Sequence, residues 1–285
     1  MITKVKAGFT FIRGDIWTAI STFILTVFVL VAVLGKWILP YPSEGTGTAN
    51  VDHLHIGPGA AHWLGTDELG RDLLSRLMYG ARSVLFTSLL VVIVAALVGT
   101  VLGLMAAFFG GWIDSAIMNI SSLFLSFPPL LLSLVAVSLL GPGLKNSLIA
   151  LMISWWPWYA RLIRNEARFV KLRPFVEIAE SMGVSRRRII FRHLLPNVTS
   201  PLIIQFAADL GTVILAAGSL AFIGLGAQPP AADWGLLVAQ GRSVIFDQWW
   251  ISTFAGLAIF LVVLAFNSLG DVLRDHFDPD RKSTV

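Results

Sequence analysis

SVLFTSLLVVIVAALVGTVLGLMAAFF, Ser83–Phe109, carries no charged residue. It exceeds the roughly 20 apolar residues that carry an α-helix across the hydrocarbon of a bilayer. Lipid offers no partner to backbone N–H and C=O groups, so such a run must close its own hydrogen bonds as a helix. Alternation of period two, the mark of a barrel strand, is absent from the chain.

The same reading extends outward in both directions. Upstream, Ile16–Pro40 is apolar behind a short polar start, residues 1–15, that holds Lys4, Lys6 and Arg13. No small-residue cleavage site follows it, so an anchor helix that stays in place is expected over 16–40. Residues 41–82 are polar and Gly-rich. Within them Glu68–Arg82 has helix spacing through Leu69, Leu73 and Leu77, which predicts a helix that lies along the membrane surface and feeds the next span. Downstream, Ser115–Leu140, Leu144–Ala160, Asn197–Gly226 and Trp249–Leu269 are uncharged or nearly so. The predicted fold class is all-α: a polytopic transmembrane helical bundle of six spans. Its core covers residues 83–270, and a soluble tail covers 271–285.

Composition agrees. The chain is 56% hydrophobic and 13% charged, against about 25% charged in soluble domains. It has no cysteine, which excludes disulfides, thiolate chemistry and Cys-based metal sites. Lys and Arg sort by side. With the N-terminus in the cytoplasm, residues 1–15, 109–115, 161–196 and 270–285 hold 15 of the 21 basic residues. Positive charge concentrates on the cytoplasmic side, so both termini and the basic loop are expected there.

That loop, Arg164–Pro196, reads RNEARFVKLRPFVEIAESMGVSRRRIIFRHLLP. Pro174 suits a first helical turn. Phe175, Ile178, Ala179 and Met182 recur at helix spacing as one apolar face, while Glu177, Glu180 and Ser181 fall away from it. Gly183 is the natural stop and Ser185 can cap a second helix. Arg186, Arg187 and Arg188 would then sit in the first turn, where the helix dipole favours acids. Ordinary positive-inside bias, lipid phosphates or an acidic partner surface would each explain them. A short apolar-faced helix outside the bilayer can lie on the membrane or dock in a protein groove.

Chemistry-bearing patterns are few. No GxxxxGK[ST] loop occurs; Gly35-Lys36 is followed by Trp37, so ATP hydrolysis would belong to another polypeptide. No catalytic triad pattern surrounds the five His. Asp52, His53 and His55 could touch a metal but read better as solvated loop residues, and no metal site is assigned. Asp209 is the single acid within a span, about 18 Å from Asn197 at helical rise. Such residues usually face a cavity or a partner; it is either a translocation-path residue or a packing acid. Pro128 and Pro129 lie midway along the third span, and Trp156 precedes Pro157 near the end of the fourth. These prolines break or kink helices, as in helices that line transport paths or pack on neighbours. Pro229, Pro230, Asp233 and Trp234 fall outside the membrane, as a docking surface for a delivery protein or as a rigid connector.

Glu177-Ile178-Ala179, then Gly183, then Leu195-Pro196 resembles the E-A-A, G, L-P loop of bacterial ABC-importer permeases, with Ile178 and His193 as departures. His62–Arg82, Gly110–Leu132, Phe222–Gly235 and Leu264–Pro279 resemble the C-type permeases of dipeptide, oligopeptide and nickel importers. Asn119, Ser122 and Ala217 stand where that family often has Arg, Asp and Glu. The resemblance implies a type I permease fold in the bacterial inner membrane. It implies that Phe175, Glu177, Ile178, Ala179, Met182, Gly183, Leu195 and Pro196 form the element that couples to an ATPase. It further implies a heterodimer with a homologous permease, two ATPase subunits that hold ATP and Mg, and a periplasmic or lipid-anchored substrate-binding protein. The chain itself would bind no cofactor, and its surroundings would be lipid, not nucleic acid. Peptide is the implied cargo, with nickel or another small solute second. An ion-coupled secondary transporter using Asp209 is the rival class.

Overall fold

The computed structural model describes residues 16–277; the predicted polar N-terminus, 1–15, and residues 278–285 of the predicted tail lie outside them. The described residues are helical, with one isolated bridge between Thr66 and Asp72.

The decisive apolar run lies in α3, Leu73–Phe109, which is the centre of the bundle. Small residues let it be central. A Cβ on Gly99 would come within 2.3 Å of Tyr159 Cβ, and one on Gly103 within 2.6 Å of the Ala160 carbonyl. At these positions α3 therefore lies backbone to backbone with α6, Leu144–Lys171, which runs parallel to it. This is how helices associate in lipid, where close packing rather than hydrophobic expulsion draws them together. The helix predicted over Glu68–Arg82 starts only at Leu73 and feeds directly into the span, with no separate surface segment. Leu69 lies in a turn, Asp72 caps the helix by accepting from Ser75 N–H at 2.7 Å, and residues 73–82 are the first turns of α3 itself. Asp72 wins because an N-cap carboxylate satisfies a first-turn donor that spacing alone cannot see.

Around α3 lie α1 (Ile16–Ile38), α9 (Thr199–Phe222) and α11 (Trp249–Phe277). α1 is peripheral and buries a narrow stripe, Ser21, Phe28, Ala32 and Gly35; the Phe28 ring meets Trp234 and Phe266. α9 and α11 run antiparallel, with Gly211 against Val263 and Gly270 against Ala208. These three helices and α3 are each long and apolar enough to cross a bilayer.

The third predicted span is two helices, α4 (Gly111–Leu125) and α5 (Pro129–Leu140), whose axes turn by 89°. If that bent pair is one span it is the fifth. The break has a local cause. Pro128 precedes a second proline and is extended, with ψ 130°, and Pro129 takes the first turn of α5 where its missing N–H costs nothing. Pro157, by contrast, is buried inside an unbroken α6, although the sequence predicts a kink there too. α6 also continues past the predicted span end at Ala160 to Lys171, so the loop begins as helix.

Candidate functional site

At one end of the bundle stands the basic segment. α7, Pro174–Ser181, is where spacing predicted a helix. It stops as predicted: Gly183 has φ +75°, Gly183 N–H donates to Glu180 O and Val184 N–H to Ala179 O, both at 3.0 Å. Those two bonds are a Schellman stop, which needs a left-handed residue at this position. α8, Arg186–Ile189, follows; Ser185 is at its N-cap position but its side chain makes no cap bond. A wide π turn, Ile190–Leu194, then leads into the turn Leu195–Asn197. Pro196 has no N–H to give the preceding turn, and a widened turn is one way a helix absorbs that loss.

The faces of α7 differ from the predicted set. Val176 is buried in an apolar cluster with Ala167, Val170, Ile189, Leu194 and Val198, and Ala179 is buried too. Phe175, Ile178 and Met182 are 44, 59 and 78% exposed. Ala179 therefore belongs to the inner face, and Val176, which the four-residue pattern passed over, is its partner there. The exposed apolar patch is Phe175, Ile178 and Met182. Glu177 is exposed, Leu195 half-buried and Pro196 exposed. The segment is tied to the bundle from below. Lys171 Nζ donates to Phe108 O at 2.7 Å. Arg164 holds Asp114 of α4 with both arms of its guanidinium, at 2.8 and 2.6 Å.

Within the bundle, Asp209 is buried between α9 and α6. Gln205 donates to its Oδ1 at 3.1 Å. The Tyr159 hydroxyl and Trp155 indole of α6 face it closely enough to feel its charge, but Asp209 Oδ2 and Tyr159 Oη are not aligned in any hydrogen bond. Asp209 thus sits at a helix–helix joint. Trp156 is half-buried, its ring 5.7 Å from that of Phe124. Pro128 is exposed and Pro129 half-buried at the α4–α5 break.

The opposite end holds a polar core that sequence reading missed. Residues 41–72, including the short helix α2 (Pro42–Thr46), fold over the bundle. His62, Thr66, Asp67, Arg71, Asp72, Ser75 and Arg76 are all buried. Arg71 Nε pairs with Asp67 at 2.7 Å and His62 Nδ1 with Asp72 at 2.9 Å. Arg76 reaches the far loop and donates to Pro230 O and Ala231 O at 2.9 and 2.7 Å. Charge in a polar stretch reads as solvated surface; the i,i+4 spacing of Asp67 and Arg71 was the one signal available. The histidines share this network. His53 Nδ1 lies 3.0 Å from the Asn50 amide and 3.1 Å from His62 Nε2, while His55 pairs with Gln248. Among the described residues no group of three or more His, Cys, Asp or Glu is placed to hold a metal ion.

The predicted docking segment divides. Pro229 and Pro230 are exposed, but Asp233 and Trp234 are buried. Asp233 caps α10, Trp234–Arg242, by accepting from Leu236 N–H at 3.1 Å, and Trp234 Nε1 donates to Leu77 O at 2.9 Å. Burial pushes the Asp233 carboxyl above its ordinary value, and the N–H groups of Leu236 and Gly235 pull it back. These two residues hold the segment in place rather than present it.

Residues 99–283 match the family described as binding-protein-dependent transport system inner membrane component. The chain is 40% identical over 273 residues to the glutathione transport system permease protein GsiD of Pectobacterium atrosepticum, covering 96% of this chain and 90% of that one. It is 40% identical over 282 residues to the dipeptide transport system permease protein DppC of Alkalihalophilus pseudofirmus, covering 99% and 92%. In fold it is similar to a chain of the inward-facing MetNI methionine ABC transporter, with TM-score 0.55, 16% identity and coverage of 70% of this chain and 97% of that one. An amino acid ABC transporter solved with histidines gives TM-score 0.55 at 16% identity, covering 72% and 95%.

Proposed function

We propose that this chain, which belongs to the family of binding-protein-dependent transport system inner membrane components, is a permease subunit of an ATP-driven importer of short peptides. The observation that carries the cargo is the 40% identity, over nearly the whole chain, to permeases named for dipeptide and for glutathione transport. Both cargoes are short peptides, and both relatives align across the membrane helices as well as the basic segment.

The mechanism follows from how α7 is mounted. Its exposed patch, Phe175, Ile178 and Met182, is the part free to enter a groove on an ATPase. Its inner face, through Val176, joins an apolar cluster with Ala167 and Val170 of α6, Ile189 of α8 and Val198 at the N-cap of α9. A displacement of α7 is therefore handed to α6 and α9 together, because packed cores move as units rather than deform continuously. Asp209 and Gln205 stand on α9 where it meets Trp155 and Tyr159 of α6, so we assign Asp209 to this moving joint rather than to contact with cargo. The bent α4–α5 pair, with Pro128 and Pro129 at the break and Trp156 beside it, is the wall we assign to the path.

A homologous permease would close the other side of that path, and two ATPases would hold ATP and Mg and grip one α7 each. Pro229 and Pro230 would meet the delivery protein. Charge sorting supports a cytoplasmic basic segment and an outward polar core. The test is isolation in mild detergent from cells that express the neighbouring subunits. Recovery of a second permease and two ATPases with this chain, and ATP-dependent uptake of a labelled dipeptide by the complex in vesicles, supports the reading. A lone chain that transports unaided overturns it.

A further inference from the structure

Two cavities on the face of the bundle formed by α3, α8 and α9 meet at one residue. The first is a groove of about 630 Å³ between α3 and α9, bounded by Ile93, Leu97, Val101, Met105 and Phe206. At its lower end it reaches Ile190, Phe191 and Leu195 of the basic segment. The second is an open recess of about 640 Å³ formed by Ser185, Arg187, Arg188, Arg192 and the same Phe191. Phe191 is 60% exposed and stands between them.

From this geometry we propose that the chain carries a binding site for one anionic phospholipid, with the headgroup phosphate in the arginine recess and an acyl chain in the groove. Length, polarity and charge each support that occupant. Ile93 to Met105 spans about 18 Å at helical rise, close to the ~15 Å of hydrocarbon in one leaflet. The groove is lined by apolar side chains apart from Thr100, whose hydroxyl is buried away from solvent, and this suits an acyl chain. Arg187, Arg188 and Arg192 are exposed and form no ion pair with a carboxylate among the described residues. Guanidinium groups match phosphate oxygens two by two. A purely acidic protein surface would account for the arginines but not for a dry groove opening beside them.

The site spans the segment that follows α7 and the two helices α3 and α9. An occupied site would hold the basic segment against the bundle. This inference concerns lipid and does not depend on which solute is carried.

The full chain, with whatever subunits copurify, is placed in nanodiscs of equal parts phosphatidylglycerol and phosphatidylcholine and in nanodiscs of phosphatidylcholine alone. Lipid retained after detergent extraction is measured by native mass spectrometry. The wild type is expected to retain one phosphatidylglycerol in preference to phosphatidylcholine. Two variants separate the halves of the site. R187Q/R188Q/R192Q removes the charge, and Leu97→Trp with Val101→Trp fills the groove without changing charge. Each is expected to lower retained phosphatidylglycerol at least about fivefold, while Arg242→Gln at the opposite end leaves it unchanged. Circular dichroism and monodispersity confirm that each variant is folded. Retention unchanged in the folded groove variant overturns the proposal. So does an arginine variant that keeps its lipid but no longer copurifies with an acidic protein partner, which would assign the recess to that partner.

Discussion

Arg76 extends its guanidinium into the end of the bundle opposite the basic segment, fully buried, and donates to the carbonyls of Pro230 and Ala231. Its substitution would remove two charge-assisted hydrogen bonds, each worth about 1.5–3 kcal/mol. Arg76→Met is therefore expected to lower the thermal midpoint of the purified protein by several degrees. Arg76→Lys should rescue it only in part, because an ammonium cannot fork to two carbonyls in fixed geometry. Thermal unfolding followed by tryptophan fluorescence reads both variants; a Met variant as stable as wild type would remove Arg76 from this role. Asp209 tests a different idea at the same scale. Seated between Gln205 and α6, it can be replaced by Asn with little change of shape. Asp209→Asn is expected to leave recovery of the assembled complex unchanged. Uptake should fall equally for all peptides, since a joint rather than a cargo contact has been altered. A change in the ranking of cargoes would return Asp209 to the path.

At the scale of elements, α7 depends on its stop. Gly183 has open space around a built Cβ, so its φ of +75° alone demands glycine. Gly183→Ala is expected to cost about 1 kcal/mol locally and to slow uptake. Gly183→Pro, whose φ is fixed near −65°, should uncouple ATP hydrolysis from transport while the chain still inserts, as should Glu177→Arg on the exposed side of α7. Comparing ATPase rate with uptake in the same vesicles decides; normal uptake by both Pro and Arg variants would mean that α7 is not the coupling element. The α3–α6 contact is the second element-scale test. A leucine at Gly103 meets the Ala160 carbonyl and Arg164 N and must separate the two helices. Overpacking of this kind costs about 1–3 kcal/mol, so Gly103→Leu is expected to reduce the amount of folded protein seen by size-exclusion chromatography.

For the whole molecule, the two ends are built differently. The basic end is a packed apolar cluster beneath an exposed helix, and the opposite end is a buried polar network. This division suits a machine driven from one side and loaded from the other. Uptake by intact cells is accordingly expected to stop on ATP depletion and to continue when the proton and sodium gradients are collapsed at maintained ATP. The reverse pattern would support ion coupling and sink the proposed mechanism.

The sequence by itself determined the class, the apolar runs, the side on which positive charge gathers, and the helix–Gly–helix form of the basic segment. Each of these is a local property: a charge-free run long enough for the bilayer, a 3.6-residue repeat, a glycine where the backbone turns left-handed. Tertiary structure decided the rest. That Ala179 is buried while Met182 is exposed depends on what the rest of the bundle places beneath α7. Pro128-Pro129 breaks a span for local reasons, but that Pro157 is held inside an unbroken α6 shows only in the folded chain, where it is buried. The fate of Asp67, Arg71, Asp72 and Arg76 was the least legible. A charged side chain is solvated or buried according to whether distant residues bring it a partner, and the carbonyls of Pro230 and Ala231 that receive Arg76 lie far along the chain.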